Sequence, residues 1–353
     1  MKNFYTFVKT NLKREMKKSY LMLAVLGFGM MGVSCAGNQQ KETQEENIVA
    51  EANDTATVYY IKDITPQNLV KIYDALGVAL PDSAKVAVKI STGESAQSYN
   101  LEAGLIKDLV QKVNGTLVES NTAYPGNRNT TEAHRKAIAE RGYMDIADFD
   151  ILDAEGSTKI PVKDTTWIHY DIVGDHLPNY NFMINLAHFK GHQMGGFGGV
   201  LKNASIGVAS SEGKAYIHSA GRNAEVDKFW DYVDNQDGFL EAMASAAQGV
   251  HDYFKQPGKD IVYIDVMNNM SIDCDCNGHP NAPVLKDMGI MASTDPVALD
   301  KAAIDMVFQH ESVEGDDAAP LIERVNQMHG THIIDHAEKI GLGTTKYELI
   351  EIK

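Results

Sequence analysis

Between Thr57 and Lys353, apolar runs of strand length alternate with amphipathic runs of helix length, and this rhythm limits the possible folds more than any single motif does. "TVYYI" (57–61) reads as a strand, and Thr65 followed by Pro66 opens a helix, as an N-cap with proline at the first helical position should. "KVAVKI" (85–90), "TLVES" (116–120), "FDIL" (149–152), "NFMINLA" (181–187), "DIVYIDVM" (260–267), "GIMAS" (289–293) and "YELIEI" (347–352) read as further strands. Helical patterns cover 101–113, 130–142, a long stretch between Glu225 and Tyr253, Pro296 to about Phe308, and Leu321 to His329. Apolar strands separated by helices predict an α/β fold, a mainly parallel sheet covered by helices on both faces, formed by one large domain with insertions. Ligands of such sheets bind beyond the carboxyl ends of the strands.

The N-terminal segment has a different logic. From Met16, Lys17 and Lys18 precede an apolar run from Tyr20 to Val33, then small residues and Cys35. That run is shorter than the roughly 20 residues a spanning helix needs, and its layout is that of a secretory signal. The setting of Cys35, between Val33-Ser34 and Ala36-Gly37, resembles a bacterial lipoprotein signal, with Gly32 where leucine is usual. This implies a signal peptide over 1–35, with translation starting at Met16, and lipidation of Cys35. Residues 36–56 are polar and read as a flexible tether, and 57–353 as the folded domain. The expected location is the cell envelope, as a membrane-anchored lipoprotein facing the periplasm or the outer-membrane surface.

Charge removes one class of partner. The chain carries −16, and because its first 35 residues hold six basic and one acidic residue, the remainder stands at −21. A surface this acidic with no basic stripe argues against nucleic acid. After Cys35 only Cys274 and Cys276 remain, too few for a disulfide framework, and a C-x-C pair is too tight for an easy structural disulfide.

The polar motifs follow the predicted strands. Glu94 comes after the strand 85–90, and Arg128 in "NTAYPGNR" comes after 116–120. "HFKGHQMGGFGGVLKN" (188–203) follows 181–187, "DCDCNGH" (273–279) follows 260–267, and Asp295 follows 289–293. If these strands are parallel neighbours, five loops meet at one edge, with Glu94 and Asp295 as candidate catalytic carboxylates. Asp295, with Pro296 after it, is first of all a helix cap.

His188 and His192 are four residues apart, but Gly191 and the glycines that follow make the segment a loop, so zinc ligation of the helical H-E-x-x-H type is not supported. Gly195, Gly196, Gly198 and Gly199 permit close backbone approach, and a helix starting after them could cradle an anion, with Arg128, Lys190 and Lys202 as counter-charges. The spacing matches neither the P-loop nor the dinucleotide fingerprint, and no G-x-S-x-G elbow occurs. Cys274 and Cys276 offer thiolates to zinc, copper(I) or iron, and His188 and His192 are the donors that could complete four-coordination. Plain loop packing for the histidines and buried or oxidised thiols for the cysteines remain open.

"VAVKISTGE", "NTAYPGNR", "HFKGHQMGGFGGVLKN" and "CDCNGHPNAPVLKDMGIMASTDPVALDKAAIDM", in that order from about residue 85 to 308, resemble the DUF362 family. The family is often described as iron–sulfur-related, and many relatives carry a cysteine-rich ferredoxin-like insert after the stretch that here reads "KAYIHSAG". Here "RNAEVDKFWDYVDNQDG" follows and holds no cysteine. A ferredoxin-type [4Fe–4S] cluster, which needs four thiolates, is therefore not expected. Export favours a divalent ion, zinc or iron, acquired outside the cytoplasm. The sequence thus points to a metal-dependent site that binds or transforms a small anionic molecule, or to a binding lipoprotein that performs no chemistry.

Overall fold

The computed structural model describes residues 55–353. The signal peptide, Cys35 and nearly all of the tether lie outside these residues. Eight strands form the main sheet: β1 (Ala56–Ile61), β2 (Val86–Lys89), β3 (Thr116–Glu119), β4 (Phe149–Ile151), β7 (Phe182–His188), β10 (Asp260–Met267), β11 (Gly289–Ser293) and β12 (Tyr347–Glu351). Their order is β12-β1-β11-β10-β7-β2-β3-β4. A ribbon of β5 (Ser157–Pro161) and β6 (Tyr170–Gly174), and a hairpin of β8 (Lys190–His192) and β9 (Gly196–Gly198), stand apart from it.

The expected α/β architecture is present, and alternation along the strands explains its layers. Phe182, Ile184 and Leu186 of β7 face one side, where they pack with Leu69, Ile72, Ile106 and Leu109 from the helices Pro66–Ala75 and Ala103–Lys112. Met183 and Ala187 face the other side, with Leu201, Leu240, Ala244 and Val297 from the helices Val200–Ala204, Gln236–Phe254 and Pro296–Phe308. Helices thus bury both faces of the sheet, which is why its central strands read as continuous apolar runs.

One strand departs from the parallel expectation. β11 pairs antiparallel with both β10 and β1, while the pairings β10-β7, β7-β2, β2-β3, β3-β4 and β1-β12 are all parallel. Ser293, the last residue of β11, lies beside Tyr263, and Gly289, its first, lies beside Met267 at the carboxyl end of β10. The chain after β10 therefore makes its long loop at the carboxyl edge and re-enters the sheet from there. Thr294 and Asp295 emerge at the opposite edge.

The short strands β5, β8 and β9 and two helices were not legible as periodic patterns. The helix Ser211–His218, capped by Ser210 accepting from the Gly213 N–H, and the helix His332–Lys339 complete the layer over one face. Among the described residues no helix is long and apolar enough to cross a membrane.

Candidate functional site

The carboxyl ends of β2, β3 and β7, together with the loop after β10, enclose a cavity of about 70 Å³. Its charged lining comprises Lys89, Arg128, Lys190, Lys202 and Lys214 against Glu119 and Asp275, with Ser91, Asn203, Cys274 and Cys276 among the neutral walls. Lys89 ends β2 in an otherwise apolar run and is only 1% exposed. It donates to the Ile90 carbonyl at 2.6 Å and to Asn203 Oδ1 at 3.1 Å. Gly207 makes room for it, since a Cβ there would sit 2.8 Å from Lys89 Nζ.

The carboxylates are already committed. Glu119, at the end of β3, takes Arg128 Nη1 at 2.7 Å on one oxygen. On the other it takes the Thr92 N–H at 3.0 Å, the Thr92 hydroxyl at 2.6 Å and His134 Nε2 at 3.1 Å. Burial alone would raise its carboxyl, but Arg128 and His134 hold it well below the usual range. Glu94, proposed as catalytic, accepts Arg128 Nε at 3.0 Å on Oε2 and the Asn127 N–H on Oε1, so both oxygens serve to clamp Arg128. Gly126 is needed for that approach, because a Cβ there would lie 2.1 Å from Glu94 Oε1. Asp275 takes Lys190 at 2.5 Å and His188 Nδ1 at 3.0 Å. Against the effect of burial, these two keep its carboxyl below its ordinary value.

The positive charge is in excess. In the lining five cations face two carboxylates, Glu119 and Asp275, with Glu94 behind Arg128 and with Asp153 and Asp171 near Lys214. Lys202 Nζ has no polar partner among the described residues, and Lys214 Nζ reaches only the Ala209 carbonyl, at 2.5 Å. Burial, and then repulsion from Lys190, push Lys202 down to about 7. Burial also lowers Lys89 to about 7 and Lys214 to about 8, in both cases against the pull of nearby carboxylates. Ammonium groups crowded together in a mostly buried site lose affinity for their own protons unless an anion joins them.

Other expected residues are placed differently. Gly198 and Gly199 line the cavity, but the free helix start expected after them is already filled. Asp300 accepts the Val200 and Leu201 N–H groups at 2.8 and 3.0 Å, and Gly199 has no Cβ to obstruct it. Asp300 lies against Asp265, and burial pushes both carboxyls up, Asp300 to about 6. Gly195 ends the β8–β9 turn and Gly196 opens β9, and neither lines the cavity. Gly196 has φ of +80°, and a Cβ there would lie 2.8 Å from Gly330 Cα, so its role is close packing. Asp295, expected at the same edge as the rest, caps the helix Pro296–Phe308 through Val297 and Ala298 at 2.9 Å and also accepts from Thr344. The reversal of β11 takes it out of the cluster.

The four expected metal ligands are divided. Both nitrogens of His188 face acceptors, Asp275 and the Asn268 carbonyl at 2.6 Å, so neither lone pair is offered to an ion. His192, Cys274 and Cys276 do come together, with candidate ligand atoms within 4.8 Å of one another, and form a possible metal-binding group. In the state seen, the two sulfurs are joined in a disulfide, contrary to the expectation that C-x-C is too tight. His192 Nδ1 accepts the Met194 and Gly195 N–H groups at 3.2 and 2.7 Å, and burial drives the ring well below its ordinary pKa. The neutral ring therefore carries its proton on Nε2, which faces Cys276 Sγ at 3.8 Å. The donor types suit a thiophilic ion, but only after reduction of the disulfide and a change at His192.

Lys89, Lys214, Glu119 and His134 were not among the expected site residues, and Asp275, a candidate metal ligand beside the cysteines, instead pairs with Lys190 and His188. A lysine at the end of an apolar strand was the available signal for Lys89. Lys214 lies in a helix too short and mixed to recognise, and His134, from the helix Thr131–Glu140, joins the network only through tertiary contacts with Glu119 and Asn121.

No curated protein matches the chain. Among solved structures, the lactate racemase apoprotein from Thermoanaerobacterium thermosaccharolyticum aligns at 14% identity and a TM-score of 0.34, covering 60% of this chain and 51% of that one. A crystal structure of a protein from Thermotoga maritima aligns at 14% identity and a TM-score of 0.39, covering 65% of this chain and 55% of that one. The chain thus spans about half the length of these two structures. A family model described as a domain of unknown function, DUF362, matches residues 86–305, more than half of the chain. The motifs that build the cavity lie inside that span, and the chain belongs to the DUF362 family.

Proposed function

We propose that this protein binds the oxyanion end of a small molecule, a carboxylate or phosphate group, in the cavity between Lys89, Lys202 and Lys214. The observation that carries this reading is the gathering of cations around one cavity, with Lys89, Lys190 and Lys214 buried and the half-buried Lys202 making no hydrogen bond through its Nζ. The cavity of about 70 Å³ has room for a charged head group. Sulfate, titrated calorimetrically at low ionic strength, is the test. Lys202→Gln removes one charge-assisted contact of about 1.5–3 kcal/mol, so sulfate should bind about tenfold to a hundredfold more weakly. Equal affinity in the variant would overturn the assignment.

A metal-dependent reaction at the same place is a second reading, favoured by the grouping of His192, Cys274 and Cys276. A bound divalent ion, zinc or iron, would supply Lewis acidity beside the anion. The reduced protein should then take up about one equivalent of zinc, consistent with a single site, and the oxidised protein none, as read by elemental analysis after gel filtration. Reduced protein that stays folded and metal-free would eliminate this reading.

We further propose that the chain is anchored in the cell envelope through lipid on Cys35, on the strength of the signal pattern before it. Full-length protein made in a bacterium fed a labelled fatty acid should carry label and sediment with membranes. Cys35→Ala should lose both properties, and membrane association that survives unlabelled in that variant would remove the anchor.

A further inference from the structure

Binding an anion leaves Cys274 and Cys276 without a task, although both residues line the cavity and their sulfurs are joined. The pair is asymmetric. Cys274 is 2% exposed, whereas Cys276 is half-buried and is the more accessible residue of the two. Cys274 Sγ accepts the backbone N–H of Cys276 at 3.2 Å, a donor placed to stabilise negative charge on the sulfur that would leave. His192, with Nδ1 occupied by two backbone N–H groups, directs its Nε2 proton at Cys276 Sγ. Arg128, Lys190 and Lys202 line the same cavity. The same cations would draw in a negatively charged reactant and repel a positive one.

We propose that Cys274 and Cys276 are a redox-active pair that exchanges two electrons with a small thiol bearing carboxylate or sulfonate groups, selected by the cationic cavity. The incoming thiolate attacks Cys276 Sγ, the bond between the two protein sulfurs breaks, and Cys274 leaves as thiolate, giving a mixed disulfide on Cys276. A second molecule of the thiol attacks the small-molecule sulfur of that mixed disulfide and releases Cys276. Two thiols are oxidised to one small disulfide, the protein disulfide is reduced to two thiols, and the two protons lost by the small thiols end on the protein sulfurs or in water. The reverse sequence passes the electrons back. The selectivity rests on the anion-binding reading of the cavity, whereas the exchange rests on the asymmetry of the sulfurs.

The test uses the oxidised full chain with three thiols of different charge: 2-mercaptoethanesulfonate, 2-mercaptoethanol and cysteamine. Reduction is followed by alkylation and intact mass, and each rate is divided by that of the same thiol with hydroxyethyl disulfide, which removes differences in intrinsic reactivity. The normalised rate should be on the order of tenfold to a hundredfold higher for the sulfonate than for cysteamine at low salt, the range of electrostatic steering. Lys202→Gln should narrow that ratio. In Cys274→Ser, the disulfide of mercaptoethanesulfonate should leave a stable adduct on Cys276, and the same reagent should label Cys274 far more slowly in Cys276→Ser. Equal normalised rates for all three thiols, or a disulfide that reacts only in denaturant, would overturn the proposal. Sulfate titration of the Cys274→Ser, Cys276→Ser double variant separates the two readings. Retained sulfate binding with charge-independent exchange sinks the redox proposal alone, and loss of sulfate binding in the wild-type chain as well sinks both.

Discussion

Arg128→Met should cost about 3–5 kcal/mol of stability, the range for removing one partner of a buried ion pair. Arg128 is 3% exposed and lies between Glu94 at 3.0 Å and Glu119 at 2.7 Å, both of which are also buried. Methionine fills much of the volume but leaves two carboxylates without their guanidinium. Lys89, whose ammonium already feels Glu119, offsets only part of this. Glu119 also anchors Thr92 and His134, so the loss should spread to the β2 exit and the helix Thr131–Glu140. Adding Glu119→Gln to Arg128→Met should recover part of the loss, because one uncompensated charge disappears with it. Urea unfolding measures this as a lowered midpoint at unchanged slope. A loss below about 1 kcal/mol, the range of an exposed pair, would mean that water reaches the network.

The second large effect is a divergence with pH. Sulfate keeps its charge across the range of interest, so its affinity follows the lysines. With Lys89 and Lys202 at about 7 and Lys214 at about 8, sulfate should bind well at pH 6 and lose affinity as the pH rises through these values. A fall on the order of tenfold or more by pH 9 corresponds to at least one linked proton. The stability of the anion-free protein should move the other way. Between about 7 and the ordinary lysine value, the unfolded chain binds more protons at these positions than the folded one does, so the stability of the fold rises with pH there. Below about 7 the folded protein must hold buried ammonium groups together, and this part of the gain is absent. Asp171, raised to about 7 by burial and with both oxygens unpartnered, opposes this trend only at lower pH, where its folded state holds the extra proton. Glu119 and Asp275 face the same lysines, but both carboxyls are held low and stay charged through the window. Parallel rather than opposed pH trends in calorimetry and urea unfolding would show that the lysines do not control the cavity.

These effects depend on residues that the sequence exposes unevenly. Lys89 was readable in principle, since a lysine ending "KVAVK" in a strand buried along its length has to be buried with it. Arg128, Lys190 and Lys202 were legible because they sit in motifs with many polar groups. Lys214 was not, because "SEGKAYIH" has too few turns to show a helical period, and its approach to the cavity is created by the packing of that helix on β6. The expected anion cradle after Gly199 fails for a reason that local sequence cannot contain, since the group that fills it, Asp300, is about 100 residues away.

What the sequence determined by itself is local. The period of apolar residues marks strands and helices, and caps such as Thr65 and Asp295 mark their starts. Tertiary structure decided direction and pairing. "GIMAS" is equally apolar read along either direction of a sheet, so nothing in its residues announces that β11 runs against its neighbours and carries Asp295 away from the site. Likewise the types of Lys, Glu, Asp and His fix which charges are available, while only the folded chain decides which of them neutralise one another and which stay unmatched in the cavity. Coulomb interactions depend on distance and burial, and chains far apart in sequence set both.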